Sequence, residues 1–302
     1  MAQRPTEFTL WLEEALTSWI LPVALLAAVA VVAGLYLLGV ATEEQTAALA
    51  VAAVALGSAF LVARPGLSRT GADRTLAVAA AAATALVVLL SALPTVYPGR
   101  PLFEGQLSAE GDQLPLPPGA AGRIRLLVVG HLRKEGQGTA SYVLGGAARP
   151  VEGKLERLYR SVRVGRSGRA RVEADHTADW YDATIPEGAT ALTLRRVTGE
   201  MGGPLQVYGH RPLLPYPWPW VLSGLTLALA ALAEARLAKK NMVAVPSGMA
   251  LAFGLLVTAN ATPYAAVGPV MGALALGAAG GSLAGWAAGA IARRLLAARA
   301  AR

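Results

Sequence analysis

The chain has no cysteine and few charged residues. The absence of cysteine excludes disulfide bonds, thiolate catalysis and thiolate metal sites. Charged residues make up 15% of the chain, hydrophobic residues make up 54%, and the mean hydropathy is +0.46. A soluble domain has about 25% charged residues, so this composition is typical of a membrane protein.

Charge is also nearly absent from the apolar segments. Six stretches have about the 20 residues that a bilayer crossing needs, and they are 20–40, 46–63, 75–97, 217–238, 243–263 and 267–292. Their central parts contain no Asp, Glu, Lys, Arg or His, which argues against a proton relay, an intramembrane protease or a haem bound by histidine. The chain also has no HExxH, GxSxG or phosphate-loop motif. We therefore expect no enzyme activity and no cofactor.

Residues 98–216 differ in character from the rest of the chain. They contain all three histidines, 16 of the 27 basic residues and 12 of the 19 acidic residues. The sequence thus predicts a soluble domain inserted between the third and fourth of six transmembrane helices. The chain is predicted to begin with an amphipathic interfacial helix (1–19) and three spans (20–97). The inserted domain (98–216), three more spans (217–292) and a basic tail (293–302) follow.

The inserted domain has the pattern of an all-β sandwich. Short segments rich in β-branched and aromatic residues alternate with turn sequences such as KEGQG and PEGA. The segments are 123–129, 139–144, 179–185, 191–197 and 204–208, and a hairpin is predicted around 165–168. About seven or eight strands are expected. The expected core residues are Leu126, Trp180, Leu192, Leu194 and Val207.

The distribution of basic residues predicts the orientation. Ten Lys and Arg residues lie in the loops after the second and fourth spans and in the tail, whereas the loops at 41–46 and 260–268 have none. Short cytoplasmic loops are enriched in Lys and Arg. We therefore expect a multi-pass protein of a bacterial inner (cytoplasmic) membrane, with both termini in the cytoplasm and an extracytoplasmic β-domain.

A run of arginines is the most basic feature of the inserted domain. An external location excludes a nucleic-acid partner, and a spacing of three residues does not align side chains on one face of a strand or a helix. Folding about the turn at 165–168 would place Arg160 opposite Glu173. Solvated arginines that pair with nearby carboxylates are the simpler interpretation, and contact with an anionic envelope ligand is the alternative. The run comprises Arg157, Arg160, Arg163, Arg166, Arg169 and Arg171.

The segment EADHTADWYD, which follows the arginines, is a weak candidate for a metal site. Oxygen ligands at this spacing can bind calcium, and a histidine with carboxylates can bind a transition metal. The segment lacks the glycine and the final glutamate of a helix-loop-helix calcium site. We expect no metal, and the candidate ligands are Asp175, His176, Asp179 and Asp182.

Two features of the apolar segments predict helix contacts. Gly277, Gly281, Gly285 and Gly289 recur every four residues and so form a face on which another helix can pack closely; the sequence leaves open whether that helix belongs to the same chain. Glu234, at the inner end of the fourth span, is interpreted as an interfacial carboxylate among Arg236, Lys239 and Lys240.

Two functions remain compatible with the sequence. The first is a non-catalytic membrane subunit, scaffold or assembly component, whose helices contact other membrane proteins and lipid and whose β-domain binds a partner or ligand. The second is a passive or partner-driven transporter or channel component for an uncharged or lipid-like solute. Flux without a partner would favour the second function.

Overall fold

A computed structural model describes residues 40–133, 138–164, 168–176, 178–199, 201–237, 240–263 and 266–300, with the backbone alone for 300 and for the described residues within 157–176. The predicted N-terminal helix, and all of the predicted span 20–40 except Val40, lie outside these residues. The chain divides into two compact units. One is a helical unit, formed by the chain segments that precede and follow the insert. The other is a β unit, formed by the insert, Pro98–Leu213.

The described helices are long and apolar. They are α1 (Glu43–Leu67), α2 (Ala72–Val96), α3 (Trp218–Leu237), α4 (Ala244–Asn260), α5 (Val267–Leu276) and α6 (Ser282–Ala300), with a π-helical segment, Gly277–Gly281, between the last two. A capping box fixes the start of α1, because Thr42 and Gln45 each accept a hydrogen bond from the other's backbone N–H. In the described residues, α1, α2, α3 and the continuous segment Val267–Arg299 are long and apolar enough to cross a membrane.

Helix α4 differs from the predicted span 243–263. It has 17 residues and so measures about 26 Å, somewhat less than the hydrocarbon core of a bilayer. The helix ends at Asn260, since the next residue, Ala261, has an extended backbone (φ −87°, ψ 149°), and Pro263 follows two residues later. The described part of the chain therefore has four candidate spans and one shorter apolar helix, where the sequence predicted five spans.

The helical unit buries small side chains and exposes large apolar ones. Ala77, Ala80 and Ala233 are fully buried, whereas Leu56 and Leu283 are more than half exposed. Other exposed apolar residues are Leu86, Leu225, Leu276, Trp286, Ile291 and Leu295. This arrangement is typical of helices that contact lipid outside and pack through small residues inside. The described helices and their exposed surface thus indicate a membrane protein.

The β unit consists of two antiparallel sheets. Its described strands are β1 (Phe103–Leu107), β2 (Gln113–Pro115), β3 (Gly122–Val129), β4 (Thr139–Gly145), β5 (Val151–Val164), β6 (Gly168–His176), β7 (Ala178–Ile185), β8 (Ala191–Gly199) and β9 (Leu205–His210). One sheet has the order β1-β9-β3-β7 and the other β2-β8-β4-β5-β6. Each of the five segments predicted as strands overlaps one of these.

One apolar core joins the two sheets. Leu126 and Val207 from the first sheet, and Leu192 and Leu194 from the second, are fully buried in it. The prediction that Trp180 belongs to this core is wrong. Tyr181, Ala183 and Ile185 pack toward the core, and strand alternation therefore puts Trp180 on the opposite face. There Trp180 packs on a small cluster, Leu127, Val129 and Ala178.

Candidate functional sites

A buried carboxylate joins three helices of the helical unit. Glu234 on α3 is fully buried, and its Oε1 accepts a hydrogen bond from Nη1 of Arg293 on α6. Its Oε2 accepts hydrogen bonds from the backbone N–H of Ala244 (3.0 Å) and of Val243 (3.4 Å). The carboxylate thus caps the start of α4, where backbone N–H groups lack intrahelical partners. We call these groups the Glu234 cluster.

The Glu234 cluster differs from the interpretation made from the sequence. The expected cations, Arg236, Lys239 and Lys240, follow Glu234 closely in the chain. Among the described residues, the cation that pairs with it is Arg293, 59 residues away. The side chain of Arg293 is 26% exposed and that of Glu234 is 0% exposed. Glu234 is therefore an interior group of the helical unit rather than a solvated one.

The glycine row, Gly277, Gly281, Gly285 and Gly289, lies against other parts of the same chain. A Cβ atom at Gly277 would lie 2.8 Å from the backbone nitrogen of Phe253, and one at Gly281 would lie 2.7 Å from Cα of Met249. A Cβ atom at Gly285 would lie 2.7 Å from Cα of Val245. These distances are too short for a side chain, so α4 packs on the row at backbone distance.

Gly289 has a different neighbour from the other three glycines. A Cβ atom there would lie 3.0 Å from the carboxyl carbon of Glu234 and would overlap its Oε1. The last glycine of the row therefore makes room for the carboxylate. The sequence left open whether the row faces its own chain or another subunit; in this structure it faces its own chain.

The arginine run lies on the β5–β6 hairpin and its loop. The side chains of this run lie outside the described residues, as does all of Arg166. The backbone register pairs Arg157 with Asp175, Arg163 with Arg169 and Arg160 with Val172. The expected pairing of Arg160 with Glu173 is wrong by one residue. Gly168 belongs to β6, so the loop has three residues rather than four, and Glu173 pairs with Tyr159.

The four candidate metal ligands are not brought together as far as the structure describes them. The side chains of Asp175 and His176 lie outside the described residues. Asp179 and Asp182 are three apart on β7 and so face opposite sides of the sheet. Among described side chains, no group of three or more His, Asp or Glu residues could hold a metal ion.

The β unit has a polar cleft of about 640 Å³. Residues of three adjacent strands, β8, β4 and β5, line it together with residues of β7. We call it the polar cleft, and its lining residues are Ser141, Tyr142, Val143, Glu152, Gly153, Lys154, Glu156, Asp179, Tyr181, Arg196 and Thr198.

Two tyrosines and one aspartate form a hydrogen-bonded group at the cleft. The hydroxyl of Tyr142 donates to that of Tyr181 at 3.0 Å, and the hydroxyl of Tyr181 donates to Oδ2 of Asp179 at 3.4 Å. Burial raises the pKa of Tyr181 to about 12, and it also raises the pKa of Tyr142. Both phenols therefore stay neutral at physiological pH. Gly153 leaves room for them, because a Cβ atom there would lie 2.5 Å from the Tyr181 hydroxyl oxygen.

A second polar group lies on the outer face of the other sheet. The guanidinium of Arg125 lies 4.9 Å from the centre of the Trp180 ring, within cation–π distance. His210 packs edge-on against the same ring at 5.5 Å. Burial lowers the pKa of His210, which favours the neutral imidazole. On the same face, Trp180 pairs with Leu127 of β3 and packs against the cluster that contains it.

Sequence reasoning missed the polar cleft. The only local signal is the alternation of polar and apolar residues in TASYVL and VEGKLE. That alternation shows which residues share a face but not which strands lie side by side. Strand β4 pairs with β8, about 50 residues further along the chain, and only this pairing brings Ser141 and Thr198 together, with hydroxyl oxygens 2.5 Å apart.

Comparison with protein-family models, curated proteins and solved structures finds no match to this chain.

Proposed function

We propose that the chain is a non-catalytic integral membrane subunit, a scaffold or assembly component, whose β unit binds a partner or ligand outside the membrane. The observation that supports this most is the state of Glu234. Ionisable groups inside membrane helices usually serve ion or proton movement. Glu234 instead binds Arg293 and the start of α4, which suits a group that fixes the positions of helices.

The remaining sequence of the helices supports the same proposal. Residues 75–96, 218–233 and 241–292 contain no Asp, Glu, Lys, Arg or His. The glycine row is covered by α4 and, at Gly289, by Glu234 of the same chain, so it does not line a path for a solute. These features favour a rigid support for the β unit over a transporter.

The proposal includes a topology. Six spans, counting 20–40 and the shorter α4, would place both termini in the cytoplasm of a bacterial cell. The β unit would then lie outside the cytoplasmic membrane. Ten basic residues in the loops at 64–74 and 236–240 and in the tail support this orientation, because such residues mark cytoplasmic loops.

Purification of the full chain from its own membranes in a mild detergent tests the proposal. We expect other membrane protein chains to co-purify at a fixed stoichiometry. A matched sample with Gly281→Leu, which disturbs packing of α4, should lose these chains if the helical unit supports the assembly. A single species without partners that carries an uncharged solute into liposomes would contradict the proposal and favour a transporter.

A further inference from the structure

We propose that the polar cleft binds a neutral, hydroxyl-rich carbohydrate chain. The inference rests on the proposed external location of the β unit, and it specifies the ligand that the unit binds there. A volume of about 640 Å³ is within the usual range of small-ligand sites, about 300–1,000 Å³, and would hold a few sugar rings.

The floor of the cleft consists of side chains on one face of a sheet. Ser141 on β4 lies between Lys154 of β5 and Thr198 of β8, and Val143 lies between Glu152 and Arg196 in the same way. The backbone groups of β4 pair with both neighbouring strands. A ligand on this floor therefore meets side chains and not free backbone groups. An extended peptide, which binds mainly by adding a strand to a sheet edge, fits such a floor poorly.

The charges of the cleft favour a neutral ligand. Its lining has three carboxylates, Glu152, Glu156 and Asp179, and two cations, Lys154 and Arg196. Lys154 forms an ion pair with Glu156. Among the side chains that the structure describes, the lining thus has no excess of positive charge that would attract phosphate or sulfate groups.

The charged side chains of the cleft favour hydroxyl groups over hydrocarbon. An apolar ligand would remove water from the charged side chains and replace none of their hydrogen bonds, which is costly. A sugar hydroxyl both donates and accepts, so it can bind the carboxylates, the cations and the hydroxyls of Ser141 and Thr198 alike.

Tyr181 lies against the opposite face of this sheet, because strand alternation turns Tyr142 and Gly153, its neighbours, away from Ser141 and Lys154. The Tyr181 ring packs toward the core, and its hydroxyl binds Tyr142 and Asp179. A sugar on the floor therefore meets its polar side chains and Val143 rather than the Tyr181 ring.

Binding of three neutral tetrasaccharides to the full chain tests the inference. The protein is purified in a detergent without a sugar headgroup, because a glycoside detergent would compete for the cleft. Cellotetraose, mannotetraose and the tetramer of N-acetylglucosamine are titrated to about 10 mM, which detects dissociation constants in the millimolar range. We expect saturable binding of at least one of them.

Exposed residues of the floor provide the variants. Arg196→Ala and Glu152→Ala should each weaken binding about tenfold, and neither side chain belongs to the core. Arg195→Ala, the adjacent arginine on β8 outside the lining, and Glu187→Ala, on a remote turn, remove the same charges and should leave binding unchanged.

Three results would overturn the inference: no binding of any neutral tetrasaccharide, binding that Arg196→Ala and Glu152→Ala leave intact, or binding of a sulfated tetrasaccharide or an extended peptide in preference. Sugar binding is measured on the purified protein, so the result does not depend on its orientation in a membrane. A failure here therefore leaves the proposed membrane role standing, whereas a cytoplasmic β unit would contradict the proposed location whatever the cleft binds.

Discussion

At the residue scale, Glu234 shows what local sequence cannot predict. Its nearest cations along the chain suggested an interfacial carboxylate among them, but its partner Arg293 comes from α6, and Gly289 makes the space. Both facts depend on how α3, α4 and α6 pack. The residues most easily predicted are those whose environment follows from strand alternation, such as Leu126 and Leu194.

Removing either member of the ion pair should have unequal effects. Arg293→Ala leaves a fully buried carboxylate without its cation, and we expect a loss of about 3 kcal/mol in the unfolding free energy of the helical unit. Glu234→Gln should cost less, because Arg293 reaches solvent. Denaturation in detergent, followed by circular dichroism, measures both.

Arg294→Ala is the control for this comparison, since Arg294 is adjacent and exposed and should cost about 0.5 kcal/mol or less. Equal effects of Arg293→Ala and Arg294→Ala would show that the pair does not stabilise the helices.

His210 should make the stability of the β unit depend on pH. Burial lowers its pKa below 6.5 in the folded chain, so the unfolded chain binds a proton more readily. This contribution to stability is complete above the unfolded pKa and is lost as pH falls through the folded pKa. Melting temperatures between about pH 7.5 and pH 5 should fall more steeply for the wild type than for His210→Gln. Parallel curves would assign the acid sensitivity to other groups.

At the element scale, local patterns predicted the types of element and missed some of their boundaries and faces. Apolar runs predicted the helices, and alternation with turn residues predicted the strands. The register of the β5–β6 hairpin shifted by one residue because Gly168 pairs within the ladder. The partner of the glycine row could not be predicted, because a row of small residues shows a packing surface but not which helix covers it.

The glycine row should tolerate no side chain at its centre. At Gly281 even a Cβ atom would overlap the carbonyl oxygen of Gly248, so Gly281→Ala should destabilise the helical unit. Gly281→Leu should lower its unfolding free energy by more than about 1–3 kcal/mol, the usual cost of overpacking a buried site. Ala284→Leu, at an exposed position on the same segment, should be nearly neutral. Thermal unfolding in detergent distinguishes them, and similar melting temperatures for all three variants would refute the contact with α4.

The arginine hairpin should contribute little to folding. Exposed ion pairs are worth about 0–1 kcal/mol, so replacing Arg163 and Arg166 together with Gln should change the melting temperature of the β unit only slightly. A large fall would show that these arginines stabilise the fold. Loss of binding to vesicles of anionic lipid, with folding intact, would instead favour the anionic ligand that the sequence left open.

At the scale of the whole molecule, hydropathy and charge predicted more of the architecture than any sequence motif did. The chain has a helical unit with an apolar exposed surface and a separate β unit with its own core. Both follow from composition along the chain. The polar cleft does not, because it requires strands far apart in sequence to become neighbours. The proposed role of each unit therefore depends first on the side of the membrane on which it lies.

Single cysteines test this directly, since the chain has none of its own. Thr70→Cys lies in the exposed turn between α1 and α2, and Glu187→Cys lies in an exposed turn of the β unit. If α2 crosses the membrane, these positions are on opposite sides. In intact cells with a permeable outer layer, an impermeant thiol reagent should label Glu187→Cys and not Thr70→Cys, and both should react after lysis. Labelling of Thr70→Cys alone, or of both before lysis, would contradict the proposed topology.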